Sequence, residues 1–378
     1  MKRIRTILLL LLTIPFLTSC WSKHELNELV FVTGIFIDNG KDPNTVEVTI
    51  STPLPNRVMT VNSPGSSEGS SYSLLSKTGS NIPEALQTIQ KDLSRKLLLS
   101  ETKIIVLGRE YAEDGINELL EWIQRNANIR ISSSILVAPN TAKEVSQLTP
   151  IYEQFPTDVL SAFVTKEHLV NTNIKECLLA NANHSAFVIP YLSYGEVPSV
   201  EEDSKKIPWS GIGGSALFTD NKLTRIVNVK ESRAIAWAKK KVTAPLYTVN
   251  IEGQGHATVI FNKTSNEKSF KITENGPEFT ITLNGSASLI YLNVKDKEVK
   301  SLHRDIIRAV EKEIHTDLKE GLRKSQEVKA DILHLGSLIV WNDPENWKKL
   351  QKNWSDVYAE TTINIKTNFN IIDTGKET

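Results

Sequence analysis

From Val299 to Leu322, apolar residues recur every three or four positions, at Val299, Leu302, Ile306, Ile307, Val310, Ile314, Leu318 and Leu322. That period predicts one long amphipathic helix, whose stripe needs an extended apolar surface to cover it. The preceding stretches LYTVNI, ATVIF, SFKITE, EFTITL and SASLIYL supply such a surface as short strands joined by polar turns, which implies antiparallel pairing. GSALFTDNKLTRIV (214–227) reads as a hairpin around Asp220-Asn221 that opens this region. After the long helix, Trp347, Leu350, Trp354, Val357 and Tyr358 mark a shorter amphipathic helix, and TTINIKTNFNI (361–371) alternates as a last strand. Residues 214–378 are therefore expected to form an α+β domain, an antiparallel sheet covered by a long helix.

The region before residue 193 has another rhythm. LVFVTGIFI (29–37) and VEVTI (46–50) read as strands, and the helix marked by Ile82, Ala85, Leu86, Ile89 and Leu93 starts at Pro83. The strand KIIVL (103–107), a helix through Ala112, Ile116, Leu119, Leu120 and Ile123, the strand ISSSILVA (131–138) and a helix from TAKEVSQL (141–148) follow in turn. Such alternation predicts a mixed α/β module over residues 20–192. NSPGSSEGSSYSLLSKTGS (62–80) is too rich in Ser and Gly to pack and reads as a flexible excursion. SYGEVPSVEEDSKKIPWSGIGG carries prolines and charges without periodicity, so residues 193–213 read as a linker. A chain of 378 residues exceeds what one core usually serves, in keeping with a multidomain α/β and α+β protein.

The chain opens MKRIRTILLLLLTIPFLTSC. Lys2, Arg3 and Arg5 precede an apolar run from Ile7 to Phe16 that is too short for a bilayer core of ~30 Å. Residues 1–19 therefore read as a secretory signal peptide. Leu17-Thr18-Ser19-Cys20 resembles a bacterial lipobox, in which the cysteine thiol takes a diacylglyceryl group before cleavage and becomes the first mature residue. Two acyl chains on Cys20 would make a durable anchor, where one holds only marginally. Cys177, in IKECLLANA, is then the one remaining thiol, so no intramolecular disulfide can form, and its apolar neighbours mark it as structural. Removing Lys2, Arg3 and Arg5 leaves 41 basic against 44 acidic residues, a net of −3, which gives no basic excess for nucleic acid.

Several blocks resemble one family, the GerAC-like lipoprotein C subunits of the nutrient germinant receptors of bacterial endospores. CWSKHELNELVFVTGIFID (20–38) is similar to that family's start, with the lipid cysteine, Trp, Glu-Leu-Asn-Glu and a strand ending Gly-x-x-x-Asp. DLSRKLLLSETKIIVLGREYAEDGI (92–116), GGSALFTDNKL (213–223) and ADILHLGSLIVWNDPENWKKLQKNWSDVY (330–358) resemble later blocks in the same order, and NIKTNFNIIDTG resembles the last strand and tail. Ser232-Arg233-Ala234 departs from the pattern, standing where a glycine is expected in a turn. The resemblance implies three α/β subdomains and a non-enzymatic subunit held by its lipid on the outer face of the spore inner membrane. It further implies two integral membrane partners, an A subunit and a transporter-like B subunit, with nutrient binding assigned to B and not expected of this chain.

Direct reading of the residues finds no competing chemistry. The histidines at 24, 168, 184, 256, 303, 315 and 334 form no HExxH, and there is no Cys-x-x-Cys for zinc. His303 and His315 are twelve residues apart on the long helix, too far to share a metal, and read as solvated. Gly211-Ile212-Gly213-Gly214 precedes a hairpin rather than a helix, so it offers phosphate no helix N-terminus. Neither GxSxG nor a P-loop occurs, and Ser134 and Ser215 read as strand serines. No catalytic residue, metal ligand or cofactor is expected. Lys239-Lys240-Lys241 reads as a solvated loop, with anionic lipid as the alternative. Trp347 and Trp354 fall on one helix face and read as core, while Trp341 is the better interface candidate. The competing reading is a substrate-binding lipoprotein of an importer, which needs a second similar lobe that the strand-rich second half does not offer; an anchored hydrolase lacks any recognisable motif.

Overall fold

The computed structural model describes residues 25–55, 70–165, 169–199, 206–251, 255–294 and 299–373. The expected signal peptide, the lipidation site Cys20, His24, His168 and residues 62–69 of the Ser/Gly-rich stretch lie outside the described residues.

The chain begins with β1 (Leu29–Phe31), β2 (Gly34–Asn39), β3 (Val46–Pro53) and β4 (Tyr72–Gly79). The last of these falls in the stretch expected to be flexible: Tyr72 to Gly79 pair residue by residue with β3, from Tyr72 opposite Pro53 to Gly79 opposite Val46. Its serines suit an edge strand, which keeps much of its surface in water. Next comes α1 (Ile82–Lys91), whose first turn is capped by Asn81 accepting the Glu84 N–H at 2.9 Å. β5 (Lys96–Leu98) pairs in parallel with β1 as a small separate sheet. After β6 (Ile104–Leu107), the single helix expected through Ala112 and Ile123 is two, α2 (Arg109–Asp114) and α3 (Asn117–Arg125). Gly115 separates them with φ +122°, a conformation that L side chains resist. β7 (Ser134–Val137), α4 (Ala142–Ser146), α5 (Pro156–Thr165) and α6 (Ile174–Ala182) complete this run.

Within the stretch expected as a linker at 193–213, the described residues 193–198 and 206–213 are instead paired strand. β8 (Phe187–Pro198) and β9 (Lys206–Thr219) run antiparallel from Phe187 opposite Phe218 out to Pro198 opposite Lys206. Their outer ends project past the core and are largely solvent-facing, which is why their composition mimics a loop. The hairpin GSALFTDNKLTRIV also belongs elsewhere than expected. β9 and β10 (Lys222–Asn228) turn at Asp220 and Asn221, both at positive φ, and extend the first sheet.

The resulting eight-stranded sheet has the order β10-β9-β8-β7-β6-β2-β3-β4. β8, β7, β6 and β2 are parallel neighbours at its centre, with antiparallel pairs outside. Central strands buried on both faces read as unbroken apolar runs, as IIVL of β6 does. Ile35, Ile37, Ile105 and Leu107 pack beneath α1, α2, α3 and α6, while Phe36, Ile104, Val106 and Leu136 pack on α4 and α5.

After α7 (Val229–Ala238) come β11 (Leu246–Ile251), β12 (Gly255–Thr273) and β13 (Gly276–Val294). The four short strands expected from ATVIF to SASLIYL are two long ones of 19 residues each, joined by a turn at Glu274–Asn275. α8 (Val299–Glu327), α9 (Leu335–Asn342), α10 (Pro344–Leu350), α11 (Trp354–Glu360) and β14 (Thr362–Asp373) follow. β14 lies parallel to β13, so the sheet β11-β12-β13-β14 is antiparallel only in part. Ser232-Arg233-Ala234 lies inside α7, not in a turn, with Ala234 fully buried. The lone expected helix from Trp347 to Tyr358 is split into α10 and α11 by a 3₁₀ turn at Gln351–Asn353.

Leu302, Ile306, Val310, Ile314, Leu318 and Leu322 of α8 are all buried. They recur every four residues, and each such step overshoots a full turn by about 40°, so the stripe rotates by about 200° rather than lining one face. Ile306, Ile307 and Val310 accordingly face Val259, Phe261 and Phe369 of the sheet across a cavity of ≈ 10 Å³. At the other end Lys324 makes two bonds to the buried Glu231 of α7, at 2.7 and 2.8 Å. Val188, Leu217 and Val227 of the eight-stranded sheet share one core with α7, α8 and the four-stranded sheet.

The Gly-x-x-x-Asp of β2 has a packing explanation. A Cβ on Gly34 would meet Thr157 Cγ2 at 2.6 Å, so glycine lets α5 approach. Asp38, 5% exposed, accepts the N–H groups of Ala142 and Lys143 at 2.6 and 2.9 Å and so seats α4. Burial raises its pKa to about 6 in spite of those two bonds. Between that value and the ordinary one near 4, the folded chain holds a proton that the unfolded chain does not, so this group adds stability as pH falls. Unfolding free energies of the wild type and Asp38→Asn at pH 7 and pH 4.5 should therefore diverge in favour of the wild type by about 1–3 kcal/mol on acidification; an unchanged difference would show that Asp38 titrates normally.

Candidate functional site

Most residues singled out in the sequence prove structural. Cys177 is fully buried on α6, and burial pushes its thiol well above the ordinary range, leaving no reactive thiolate at neutral pH. Ser215 bonds Ser232 Oγ in the interior, and Gly211 to Gly214 lie within β9. Gly214, at φ +147°, is needed where the backbone of β10 crosses close, since a Cβ there would sit 2.0 Å from Val227 O. His303 and His315 are partly buried on α8 rather than solvated, and His303 Nε2 has no hydrogen-bond partner. No group of three or more His, Cys, Asp or Glu among the described residues could hold a metal. No described helix is long and apolar enough to cross a membrane.

A large concavity of ≈ 1100 Å³ lies between the two sheets. One wall is α6 and the start of β8; the other is α9, α10 and α11; its floor comes from the end of α7, from β12 and from the loop after α8. Lys239-Lys240-Lys241, expected as a solvated run, contributes to that floor. α7 ends in a Schellman motif, with Lys241 N–H bonded to Ala236 O at 2.8 Å, Lys240 N–H to Trp237 O at 3.0 Å and Lys240 at φ +59°. Lys240 alone of the three is exposed. Lys241 Nζ donates to Asn171 O at 2.5 Å and to both Glu176 oxygens at 2.7 and 2.8 Å.

Two further floor lysines meet only backbone, whereas Lys329 pairs with Asp356 at 2.6 Å. Lys239 Nζ donates to Ile332 O at 2.6 Å and Lys268 Nζ to Leu333 O at 3.2 Å. Neither has a carboxylate within ion-pair distance among the described residues. Burial, followed by the charges of Lys241 and Lys268, pushes Lys239 down to about 8; burial likewise lowers Lys268.

The Asp331 carboxylate, whose charge acts on both lysines, is already engaged. Buried Asp331 accepts Leu335 N–H at 2.8 Å, Gly336 N–H at 2.9 Å and Trp354 Nε1–H at 3.1 Å. It thus occupies the N-terminus of α9, and Gly336 leaves room for the Trp354 ring that a Cβ would meet at 2.8 Å. Trp354 stands 5.3 Å from Trp347, so both pack on the core although they lie on separate helices. Trp341 by contrast is 76% exposed on the rim, with Leu179 at 52% facing the groove from α6.

Lys268, Asp331 and His334 carried no recognisable signal in the sequence. Only the fold brings them beside Lys239, from segments about 30 to 100 residues away. The arrangement sets buried ammonium groups beneath an exposed apolar rim.

This architecture is also that of a solved structure, the crystal structure of the GerBC protein, at TM-score 0.58 and 18% identity, covering 90% of this chain and 97% of that one. The chain is a multidomain α/β protein of the spore germination class, matching the family model "Spore germination protein N-terminal domain" over residues 22–194. Residues 213–375 match "Spore germination B3/ GerAC like, C-terminal", and the chain belongs to this GerAC-like family. Among curated proteins of Bacillus subtilis (strain 168), spore germination protein KC is 25% identical over 397 residues, with 97% of this chain and 95% of that protein covered. Spore germination protein B3 is 23% identical over 372 residues, with 95% of each covered. The matched segments leave 195–212 between them, a range that includes the described outer ends of β8 and β9.

His334 offers a test of the groove's electrostatics. Burial, then Lys239, Lys268 and Lys241, holds its pKa down to about 4. As pH falls from about 6.5 towards 4, the unfolded chain takes a proton that the folded chain refuses, so stability is lost. Relative to His334→Asn, which tolerates the φ of +53° at this position, the wild type should lose about 1–3 kcal/mol between pH 7 and pH 4.5 in denaturant titrations. That trend is opposite to the one expected at Asp38.

Proposed function

We propose that the chain is the lipid-anchored C subunit of a spore germinant receptor, a non-enzymatic protein that acts in nutrient-triggered germination through complex assembly or signal relay. The observation that carries this reading is the pair of GerAC-like family matches, in order and over nearly the whole chain. Its partners are two integral membrane subunits, A and B, and the membrane itself, reached through diacylglyceryl on Cys20 at the outer face of the spore inner membrane. The mature charge of −3 and the absence of any basic stripe in the sequence give nucleic acid no purchase. Nutrient recognition is assigned to the membrane partners. Restricting the chain to the membrane surface raises its effective concentration near them, so modest contacts suffice for assembly.

Deleting the gene should leave growth intact while spores lose their response to one class of nutrient; a normal response to all nutrients would refute the reading. Cys20→Ala should move the protein out of the inner-membrane fraction and impair germination. Full retention in that fraction, assayed by immunoblot after alkaline washing, would refute the anchor.

A further inference from the structure

We propose that the groove between α6 and the closing helices α9 to α11 is the docking site for a segment of a membrane partner that presents a carboxylate flanked by apolar side chains. This proposal rests on the receptor-subunit reading above for the identity of the partner's class.

Charge complementarity argues for the carboxylate. Lys239 and Lys268 approach the floor with only the carbonyls of Ile332 and Leu333 as acceptors, and Lys239 lies close enough to Lys241 and Lys268 to feel the repulsion of both charges. Each ammonium has three N–H donors, so both keep donors free for an incoming anion. Three of the four acids that line the groove are engaged elsewhere: Glu176 is bound to Lys241, Asp356 to Lys329, and Asp331 is spent on the start of α9, while Asp220 stands at the β9–β10 turn. Neutral His334 adds no competing negative charge.

The rim argues for a polypeptide rather than a free anion. Trp341, Leu179 and Val340 are 76%, 52% and 37% exposed and line the same concavity. Exposed tryptophan beside apolar side chains is the usual anchor of a protein interface, where a few such residues carry most of the binding energy. At ≈ 1100 Å³ the space also exceeds the ~300–1,000 Å³ typical of small-ligand sites. An anchored segment with a carboxylate between apolar residues satisfies floor and rim together.

The test uses the full-length chain in spore inner membrane, solubilised with its partners. A photoreactive benzoylphenylalanine is placed at Leu179 or Val340, and at Tyr291, which is 56% exposed and does not line the groove, as control. Adducts from both groove positions, and not from the control, should map to one segment of a membrane partner containing Asp or Glu. Their yield should fall about tenfold in Lys268→Glu and in Trp341→Ala. Trp341 is a surface residue, so its variant should keep the wild-type melting temperature, which keeps the proposal falsifiable if Lys268→Glu fails to fold. Inorganic phosphate or acetate at constant ionic strength should leave the yield unchanged. Displacement by either would show a small-anion site and overturn the proposal, as would adducts to a second copy of this chain. Loss of groove adducts while both membrane partners still co-purify would overturn the docking site alone; absence of the partners from the wild-type preparation would overturn the receptor reading with it.

Discussion

The fold depends on how α8 buries its apolar stripe. Six residues spaced by four must all leave water, and because that spacing outruns the helical turn, no single flat surface can cover them. The first half of the helix is covered by the four-stranded sheet, and the second half by α7 and α11, with β10 touching its end through Arg225 and Glu327 at 2.9 Å. Both sheets are thereby drawn into one core. The Glu231–Lys324 pair fixes the crossing: the same carboxylate completes the capping box of α7 and holds α8. A buried acid with two roles of this kind is costly to remove, since each role would leave an unpaired group behind.

The groove is the place where this joining leaves space. α7 ends beneath it, and Lys239 and Lys268 tie down the backbone that runs from α8 into α9. The lysines therefore serve the fold and the surface at once. Their bonds to Ile332 and Leu333 hold the loop, while neither ammonium is in ion-pair contact with a carboxylate among the described residues.

Much of the architecture was legible because hydrophobic period reports local geometry. The central strands, α1 and α8 were each predicted within a few residues, since IIVL and the Leu302–Leu322 series admit few alternatives. The failures have a common cause. The outer β8–β9 hairpin and β4 are strands made of Ser, Pro and charged residues, stabilised by pairing rather than burial, and pairing partners do not show in a local window. The same holds for the parallel placement of β14 and for the boundary after β10, both of which are long-range choices. At the candidate site, Trp341 could be singled out from its neighbourhood, but Lys239 read as solvent-facing because nothing local reveals that a loop some 90 residues later will close over it. Cys20 and the segment before it lie outside the described residues, and their expected role rests on the sequence pattern alone.

The rotation of the buried stripe around α8 has a mechanical consequence. A helix of 29 residues is a rod about 44 Å long. Gripped on one side near its start and on nearly the opposite side near its end, it cannot roll about its own axis without opening one grip or the other. The helix therefore behaves as a key seated between the sheets, and turning it would part the shared core at one end or the other.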